Sequence, residues 1–182
     1  IWDVQSGRVI CTLELPDIGR CVAFSPDGRF LIVGVGGQVV RDSRRSVRLD
    51  EDGVETSKLV VLTYTQNKLQ INYETIDAKK AITCVCYSND GSKAFAGSAD
   101  NSIYAYDPLN DYSLVETLDG HTEPIASLEL SPTADRLVSR GVGYETKAWD
   151  LTANKPVEVS VDTTIPIHKR KTPYWGDSIG VH

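Results

Sequence analysis

Residues 120–150 read GHTEPIASLELSPTADRLVSRGVGYETKAWD, and this stretch decides the fold. It opens with a Gly-His pair, closes with Trp-Asp, and holds two short apolar runs on either side of a Ser-Pro turn at Ser131. Two apolar runs joined by a turn that contains proline are typical of a β-hairpin, because proline presets the φ angle of one turn position. The stretch therefore predicts antiparallel strands.

Two weaker copies of this pattern precede it in the chain. RCVAFSPDGRFLIVGVG is centred on Ser25 and ITCVCYSNDGSKAFAGSAD is centred on Ser88, and in each an Asp-Gly turn separates two apolar runs. We therefore interpret the chain as a series of internal repeats. Aligned on their serines, the copies share apolar residues before the turn (Val22, Val85 and Leu128) and after it (Ile32, Phe95 and Val138), whereas Gly34 and Gly97 correspond to Arg140.

Each copy continues into a third predicted strand that ends in an aromatic residue, at Tyr64, Tyr106 or Trp149. A fourth strand-like segment follows in every case. The spacing from serine to aromatic residue is 18 positions in the second and third copies but 39 in the first. The first copy therefore carries about 21 extra residues, which we place within an insertion at 36–57.

The Gly-His and Trp-Asp ends, the four short strands per unit and the 43-residue spacing of Ser88 and Ser131 resemble the WD-repeat (beta-transducin) family. The resemblance implies an all-β WD-repeat β-propeller, here about three four-stranded blades with partial blades at both ends. We predict a blade end at 1–7, blades at 9–65, 69–107 and 113–150, and the start of another blade at 153–182. Propellers close with roughly four to eight blades, so the remaining blades of the same polypeptide are expected to complete the ring.

The composition argues against several classes of function. A net charge of −6 disfavours nucleic-acid binding, because proteins of that class neutralise phosphates with clustered Lys and Arg. No apolar run approaches the roughly 20 residues that span a bilayer, so no membrane contact is expected. The four cysteines lack the spacing of metal ligands, and neither a metal nor a cofactor is expected. Because the chain has no methionine and begins at the end of a repeat, we expect it to be an internal piece of a longer polypeptide.

The family resemblance also implies a structural hydrogen-bond network. In WD repeats it joins the histidine of the Gly-His pair, a strand hydroxyl, a loop aspartate and the tryptophan of the third strand. In the third copy His121 and Trp149 match, and Ser139 matches the hydroxyl, but Gly143 stands where the aspartate is expected, six positions before the tryptophan. In the second copy Asp100 has the expected spacing, although the Gly-His pair is missing there. We therefore expect incomplete networks and a structural role for the histidine.

No catalytic pattern is present in the sequence. It contains three histidines and no nucleophile elbow, phosphate-binding loop or H-E-x-x-H motif. We therefore expect no catalytic residues and a protein that is not an enzyme. An enzyme whose site lies outside this segment is the remote alternative.

Two segments stand out as candidate surfaces for binding protein partners. The insertion carries four arginines followed by an acidic run, and the C-terminal tail carries a basic cluster followed by aromatic residues. A solvated hairpin extension is the alternative for the insertion, and a long loop leading into the next blade is the alternative for the tail. The candidate contact residues are Arg41, Arg44, Arg45, Arg48, Lys169, Arg170, Lys171 and Trp175.

The second blade, with ITCVCYS followed by AGSADNSIYAYD, resembles the echinoderm microtubule-associated protein-like family. The third resembles that family's replacement of the loop aspartate by a segment ending in a tyrosine-acid pair, here Tyr144-Glu145. This resemblance implies a non-catalytic scaffold that binds microtubules or tubulin and is located in the cytoplasm at the cytoskeleton, including cilia or flagella. A generic WD-repeat adaptor in another complex, for trafficking or ubiquitin ligation, is the alternative.

Overall fold

The computed structural model of this protein describes residues 1–15, 17–36, 57–143 and 145–152, and the backbone of Val157–Val159. Every regular element in these ranges is a β-strand, so the described residues contain no helix that could cross a membrane. The strands are β1 (Gly19–Phe24), β2 (Phe30–Gly36), β3 (Ser57–Thr65), β4 (Lys68–Thr75), β5 (Ile82–Tyr87), β6 (Ala94–Ser98), β7 (Ile103–Asp107), β8 (Ser113–Leu118), β9 (Ile125–Leu130), β10 (Arg136–Gly141), β11 (Thr146–Asp150) and β12 (Val157–Val159).

The strands form three four-stranded antiparallel sheets, each made of four consecutive strands: β1 to β4, β5 to β8 and β9 to β12. The prediction of an all-β chain built from blade-like sheets is confirmed. Ahead of the first sheet, an antiparallel bridge joins Trp2 to Val9. The connections alternate between two ends of each sheet. The Ser-centred turns lie at one end, which we call the turn face, and the Gly-His segment lies at the other, which we call the Gly-His face.

The register of the first sheet corrects one part of the sequence alignment. Leu31 pairs with Leu62, just as Ala94 pairs with Tyr106 and Leu137 pairs with Trp149 in the other sheets. The position equivalent to Trp149 is therefore Leu62, and the expectation of Tyr64 there is wrong. Tyr64 corresponds instead to Leu151, since their backbone N–H groups donate to Arg29 and Asp135, respectively, at 2.7 and 2.9 Å.

The second sheet is apolar on both faces because it packs between the first and third sheets. On β2, the buried Leu31 and Ile32 point to opposite sides and join different clusters. The interface of the first and second sheets includes Ile32, Leu59, Val61, Ala94, Tyr104 and Tyr106, and that of the second and third includes Phe95, Ile103, Ile125, Leu137 and Trp149. The other face of the first sheet packs on Ile1, Leu13 and Leu15.

Two glycines allow the sheets to approach each other closely. A Cβ atom added to Gly97 would lie 2.6 Å from Cγ2 of Ile125, on the neighbouring sheet, and 2.7 Å from Sγ of Cys84. Gly34 is in the same situation against Ile82 and Cys21. Glycine is required at these two positions because a side chain would collide with the neighbouring sheet, and not because the backbone has an unusual φ angle. At the equivalent position of the third sheet the chain has Arg140, whose side chain is exposed. Glycine is therefore not required at this position of the third sheet.

The three turns share one hydrogen-bond design. In the first, the Ser25 hydroxyl donates to Asp27 at 2.6 Å and accepts from the backbone N–H of Phe30 at 2.9 Å. The second turn repeats both bonds at Ser88, with Asp90 as the acceptor. In the third, Asp135 takes the acceptor role. These are local side-chain bonds to nearby groups, which explains why a serine and a following aspartate predict the turns.

The stability of the protein should depend on pH through the carboxylates of Asp27 and Asp90. Hydrogen bonds from Ser25, and from Ser88 in the second turn, lower the pKa of Asp27 and of Asp90 to about 2, from an ordinary value of 3.8. A depressed pKa in the folded state contributes stability that is present above the unfolded pKa and is lost as the pH falls through the folded one. We therefore expect the free energy of unfolding of the complete protein to decline from about pH 4 to about pH 2.

The measurement is urea unfolding at a series of pH values, for the parent and for Asp27→Asn/Asp90→Asn. The double variant cannot titrate at these positions, so its stability should fall less steeply in this range. Ser25→Ala, which removes the donor to Asp27, should also reduce the slope. Identical acid dependence of the parent and the double variant would contradict the role assigned to these carboxylates.

Candidate functional site

The Gly-His face of the third sheet holds a chain of buried polar side chains. Nε2 of His121 lies 2.6 Å from the Ser139 hydroxyl on β10, and the same hydroxyl accepts from Nε1 of Trp149 on β11 at 2.8 Å. The imidazole Nδ1 lies 2.8 Å from Oε2 of Glu145. The structure thus brings together His121, Ser139 and Trp149, and adds a carboxylate to them.

The partners specify the positions of the protons. An ionised carboxylate only accepts, so Nδ1 carries the hydrogen that is donated to Glu145. Nε2 of a neutral imidazole then accepts from Ser139, and Ser139 accepts from the indole of Trp149. In this assignment both imidazole nitrogens, the Ser139 hydroxyl and the indole N–H of Trp149 all have hydrogen-bond partners. Partial desolvation acts to raise the pKa of Glu145, but hydrogen bonds from His121 and Thr122 outweigh it and lower that pKa below its ordinary value.

Glu145 completes the network, although the sequence pattern alone did not place it there. The family pattern requires the acid at position 143, where a Cβ atom would lie 2.9 Å from Oε1 of Glu123. The Glu123 carboxylate accepts from the backbone N–H of Gly143 at 2.6 Å. The acid is instead supplied two residues later, by Glu145 immediately before β11. The expectation that this network is incomplete is therefore wrong. The Tyr144-Glu145 pair is the feature of the sequence that could have identified the missing acid.

Asp100 lies in a separate cluster on the second sheet and does not meet His121. Its carboxylate accepts from the backbone N–H of Lys79 and from the Tyr104 hydroxyl, both at 2.8 Å. The buried Ala78 precedes Lys79, as His121 precedes Thr122 in the third sheet. Glu145 likewise accepts from the backbone N–H of Thr122, at 3.0 Å. Asp100 and Glu145 therefore each accept a hydrogen bond from the loop that leads into the first strand of their sheet.

The geometry of the histidine chain favours a structural role. The His121 side chain has no exposed surface, and Ser139 is fully buried. A buried imidazole whose two nitrogens are both bonded inside the protein has no free group to present to a substrate. Within the described residues, no group of three or more His, Cys, Asp or Glu side chains is arranged to hold a metal ion.

The predicted partner-binding residues lie outside the described residues. They are Arg41, Arg44, Arg45, Arg48, Lys169, Arg170, Lys171 and Trp175. The strands that flank the insertion are described. Gly36 at the end of β2 pairs with Ser57 at the start of β3, so the insertion leaves and rejoins the sheet at neighbouring points on the Gly-His face.

Comparison with known proteins identifies the repeat. The family model described as "WD domain, G-beta repeat" matches residues 8–41 and 72–107. Among solved structures, the RRP9 WD40 repeats superpose with a TM-score of 0.61 at 15% identity, covering 80% of this chain and 39% of that one. Chaetomium thermophilum Sqt1, bound to the N-terminus of the ribosomal protein L10, superposes with a TM-score of 0.58 at 22% identity, covering 75% and 32%. At these identities the structural likeness establishes the fold alone.

Curated relatives come from several groups of proteins. Echinoderm microtubule-associated protein-like 1 of Mus musculus is 30% identical over 90% of this chain and 18% of its own length. Eukaryotic translation initiation factor 3 subunit I of Saccharomyces cerevisiae is 26% identical over 72% of this chain and 37% of its own. Protein groucho of Drosophila melanogaster is 27% identical over 87% and 20%. The chain thus spans between about a fifth and two fifths of the length of these relatives.

Proposed function

Because this chain carries WD40 repeats and folds as part of a WD40 propeller, we propose that it belongs to a non-catalytic protein-interaction scaffold associated with microtubules or the axoneme. The WD40 repeat is in general a scaffold fold, and the buried side chain of His121 agrees with that role. On this proposal the protein is located in the cytoplasm at the cytoskeleton, including cilia or flagella in cells that have them.

The observation that carries the microtubule proposal is the extent of the match to the echinoderm microtubule-associated protein-like group. Three of its members, proteins 1, 3 and 4, match between 83 and 90% of this chain at 27 to 30% identity. An acid supplied by Glu145, from the tyrosine-acid pair on which the family resemblance rested, agrees with this assignment.

We propose that the insertion on the Gly-His face makes the contact with the filament. Arg41, Arg44, Arg45 and Arg48 would face an acidic surface, where charge complementarity mainly increases the rate of association. The tail cluster, Lys169 to Lys171 with Trp175, would add a second basic and aromatic contact. Both contacts should weaken with rising salt.

The second candidate is a scaffold in a different multiprotein complex. It is favoured by the matches to a translation initiation factor subunit and to groucho, at identities close to those of the microtubule-associated relatives. The Sqt1 structure, in which a propeller holds the N-terminus of a ribosomal protein, illustrates this kind of partner. An enzyme whose active residues lie elsewhere in the polypeptide is the remote third candidate.

Co-sedimentation of the complete protein with polymerised tubulin distinguishes the first two candidates. We expect the protein to pellet with microtubules, and we expect alanine replacement of the four insertion arginines to weaken binding about ten-fold, or roughly 1.4 kcal/mol. The matched control is Lys68→Ala/Lys93→Ala, which removes basic side chains beside turns at the opposite end of the sheets and should bind normally. No pelleting of folded protein above background would contradict the microtubule proposal and favour another complex.

A further inference from the structure

The turn face carries a groove at the junction of the first and second sheets. A cavity of about 310 Å³ lies between the Ser25 turn, the Ser88 turn and the loop 108–112 that joins β7 to β8. A second cavity of about 190 Å³ continues beside it toward Asn72 and Tyr73 on β4. The two share Phe30, Pro108 and Tyr112 as lining residues, so together they form one elongated depression, which we call the turn-face groove.

Aromatic side chains form the wall of this groove, and an aliphatic side chain stands at its rim. The hydroxyls of Tyr87 and Tyr112 are 2.6 Å apart, and their rings meet edge to face with centroids 6.4 Å apart. This contact holds both rings in place. Leu109 is 84% exposed, and Tyr73 is 40% exposed. A preformed aromatic wall beside an exposed leucine offers apolar area at little cost in side-chain entropy.

The groove is acidic at its edges. Asp27 and Asp90 line the first cavity and Asp111 lines the second. Arg29 is the cation among the lining residues, and its Nε lies 2.6 Å from the Asp27 carboxylate, which neutralises that pair. In the described part of the chain, neither Asp90 nor Asp111 takes part in an ion pair. The charge left for an occupant to meet is therefore negative.

We propose that the turn-face groove binds an extended segment of a partner protein in which a bulky apolar side chain is flanked by lysine or arginine. The apolar side chain would pack between Leu109 and the tyrosine pair, and the flanking cations would face Asp90 and Asp111. Apolar anchors in a preformed pocket supply most of the binding energy at such sites, while the charges select the partner. The proposal does not depend on the microtubule assignment, since it concerns the opposite end of the sheets.

On this proposal the two ends of these sheets would bind partners of opposite charge. The first half of the insertion at the Gly-His face contains four closely spaced arginines, ahead of its acidic run, whereas the turn-face groove is acidic. One scaffold would thereby hold an acidic partner at one face and a basic segment at the other, and the two would not compete.

The test uses the complete protein and three fluorescein-labelled synthetic peptides of about 12 residues, measured by fluorescence anisotropy. The first has a central leucine flanked by arginine and lysine in a Gly-Ser background. The second replaces the basic residues with glutamate, and the third replaces the leucine with serine. We expect saturable binding of the first peptide and at least about ten-fold weaker binding of the others.

Two variants place the site on the protein. Leu109→Ser should reduce the affinity for the first peptide about ten-fold. Asp111→Asn should reduce this affinity about three-fold and make it less dependent on salt. Asparagine tolerates the positive φ of 49° at this position. The controls are Val142→Ser, which changes a side chain 69% exposed at the Gly-His face, and Glu116→Gln on β8.

Each possible outcome decides the proposal. Failure of the first peptide to bind, equal binding of the glutamate peptide, or unchanged binding by Leu109→Ser would each overturn it. Because Leu109 is exposed, its replacement should leave the thermal unfolding midpoint unchanged, so weakened binding can be separated from misfolding. Equal weakening by Val142→Ser would show that the peptide binds elsewhere.

Discussion

Replacement of Gly97 by alanine should lower the free energy of unfolding of the complete protein by about 3 kcal/mol, at the upper end of the usual cost of overpacking a core. The added methyl would lie 2.6 Å from Cγ2 of Ile125 and 2.7 Å from Sγ of Cys84. β6 is paired on both sides, so its backbone has little freedom to move away. The measurement is urea unfolding followed by circular dichroism, with the midpoint and slope compared with those of the parent.

The matched control is Gly141→Ala, on β10 of the third sheet. Its added Cβ would find its nearest neighbour at 3.5 Å, an ordinary contact, so we expect a loss below about 1 kcal/mol. Combining Gly97→Ala with Cys84→Ala should cost less than the two single changes together, because the second change removes one of the colliding atoms. Equal losses for Gly97→Ala and Gly141→Ala would contradict the close approach of the sheets.

Ser139→Ala should cost a similar amount, about 3 kcal/mol, through a different mechanism. The Ser139 hydroxyl bonds at once to Nε2 of His121 and Nε1 of Trp149, and all three side chains are buried. Removing it leaves a buried donor and a buried acceptor without partners, and each unsatisfied group costs about 1 to 3 kcal/mol. Urea unfolding of the complete protein again gives the difference.

The control for this prediction is Ser113→Ala, at the start of β8. That serine is partly exposed and accepts from Asn110 at 3.0 Å, so water can replace its bond and the loss should stay within about 0.5 kcal/mol. Glu145→Gln should have an intermediate effect, since the amide oxygen can still accept from His121 but without charge assistance. A Ser139→Ala loss no larger than that of Ser113→Ala would show that the network does not stabilise the sheet.

The turns were predictable because their chemistry is local. Ser25 and Asp27 are two positions apart and bond to each other and to the backbone of the same turn, so the pattern and the structure coincide. The apolar runs of β2 and β6 were also predictable, since a strand packed on both faces must be apolar throughout. The equivalent positions Val22, Val85 and Leu128 followed directly from this local frame, and each occupies the same register opposite the second strand of its sheet.

The sequence alignment of the repeats was wrong at β3, where a shift of two residues leaves the same side chains on each face of the strand. Leu62 and Tyr64 are separated by one residue and point to the same side of β3, so the apolar pattern alone permits either as the counterpart of Trp149. The insertion removed the spacing that identified Tyr106 and Trp149 in the other copies. Only the pairing of Leu31 with Leu62 across β2 selects the correct register.

By itself, the sequence determined the all-β class, the three Ser-centred hairpins and the repeat to which they belong, because these depend on side chains a few positions apart. The tertiary structure decided which atoms meet across loops and between sheets. It brought Glu145 to His121 from 24 positions away, placed Ile125 against Gly97, and joined turns from two sheets into one groove. The physical reason is that packing and hydrogen-bond partners depend on distance in space, which a strand pattern does not record until the sheets are stacked.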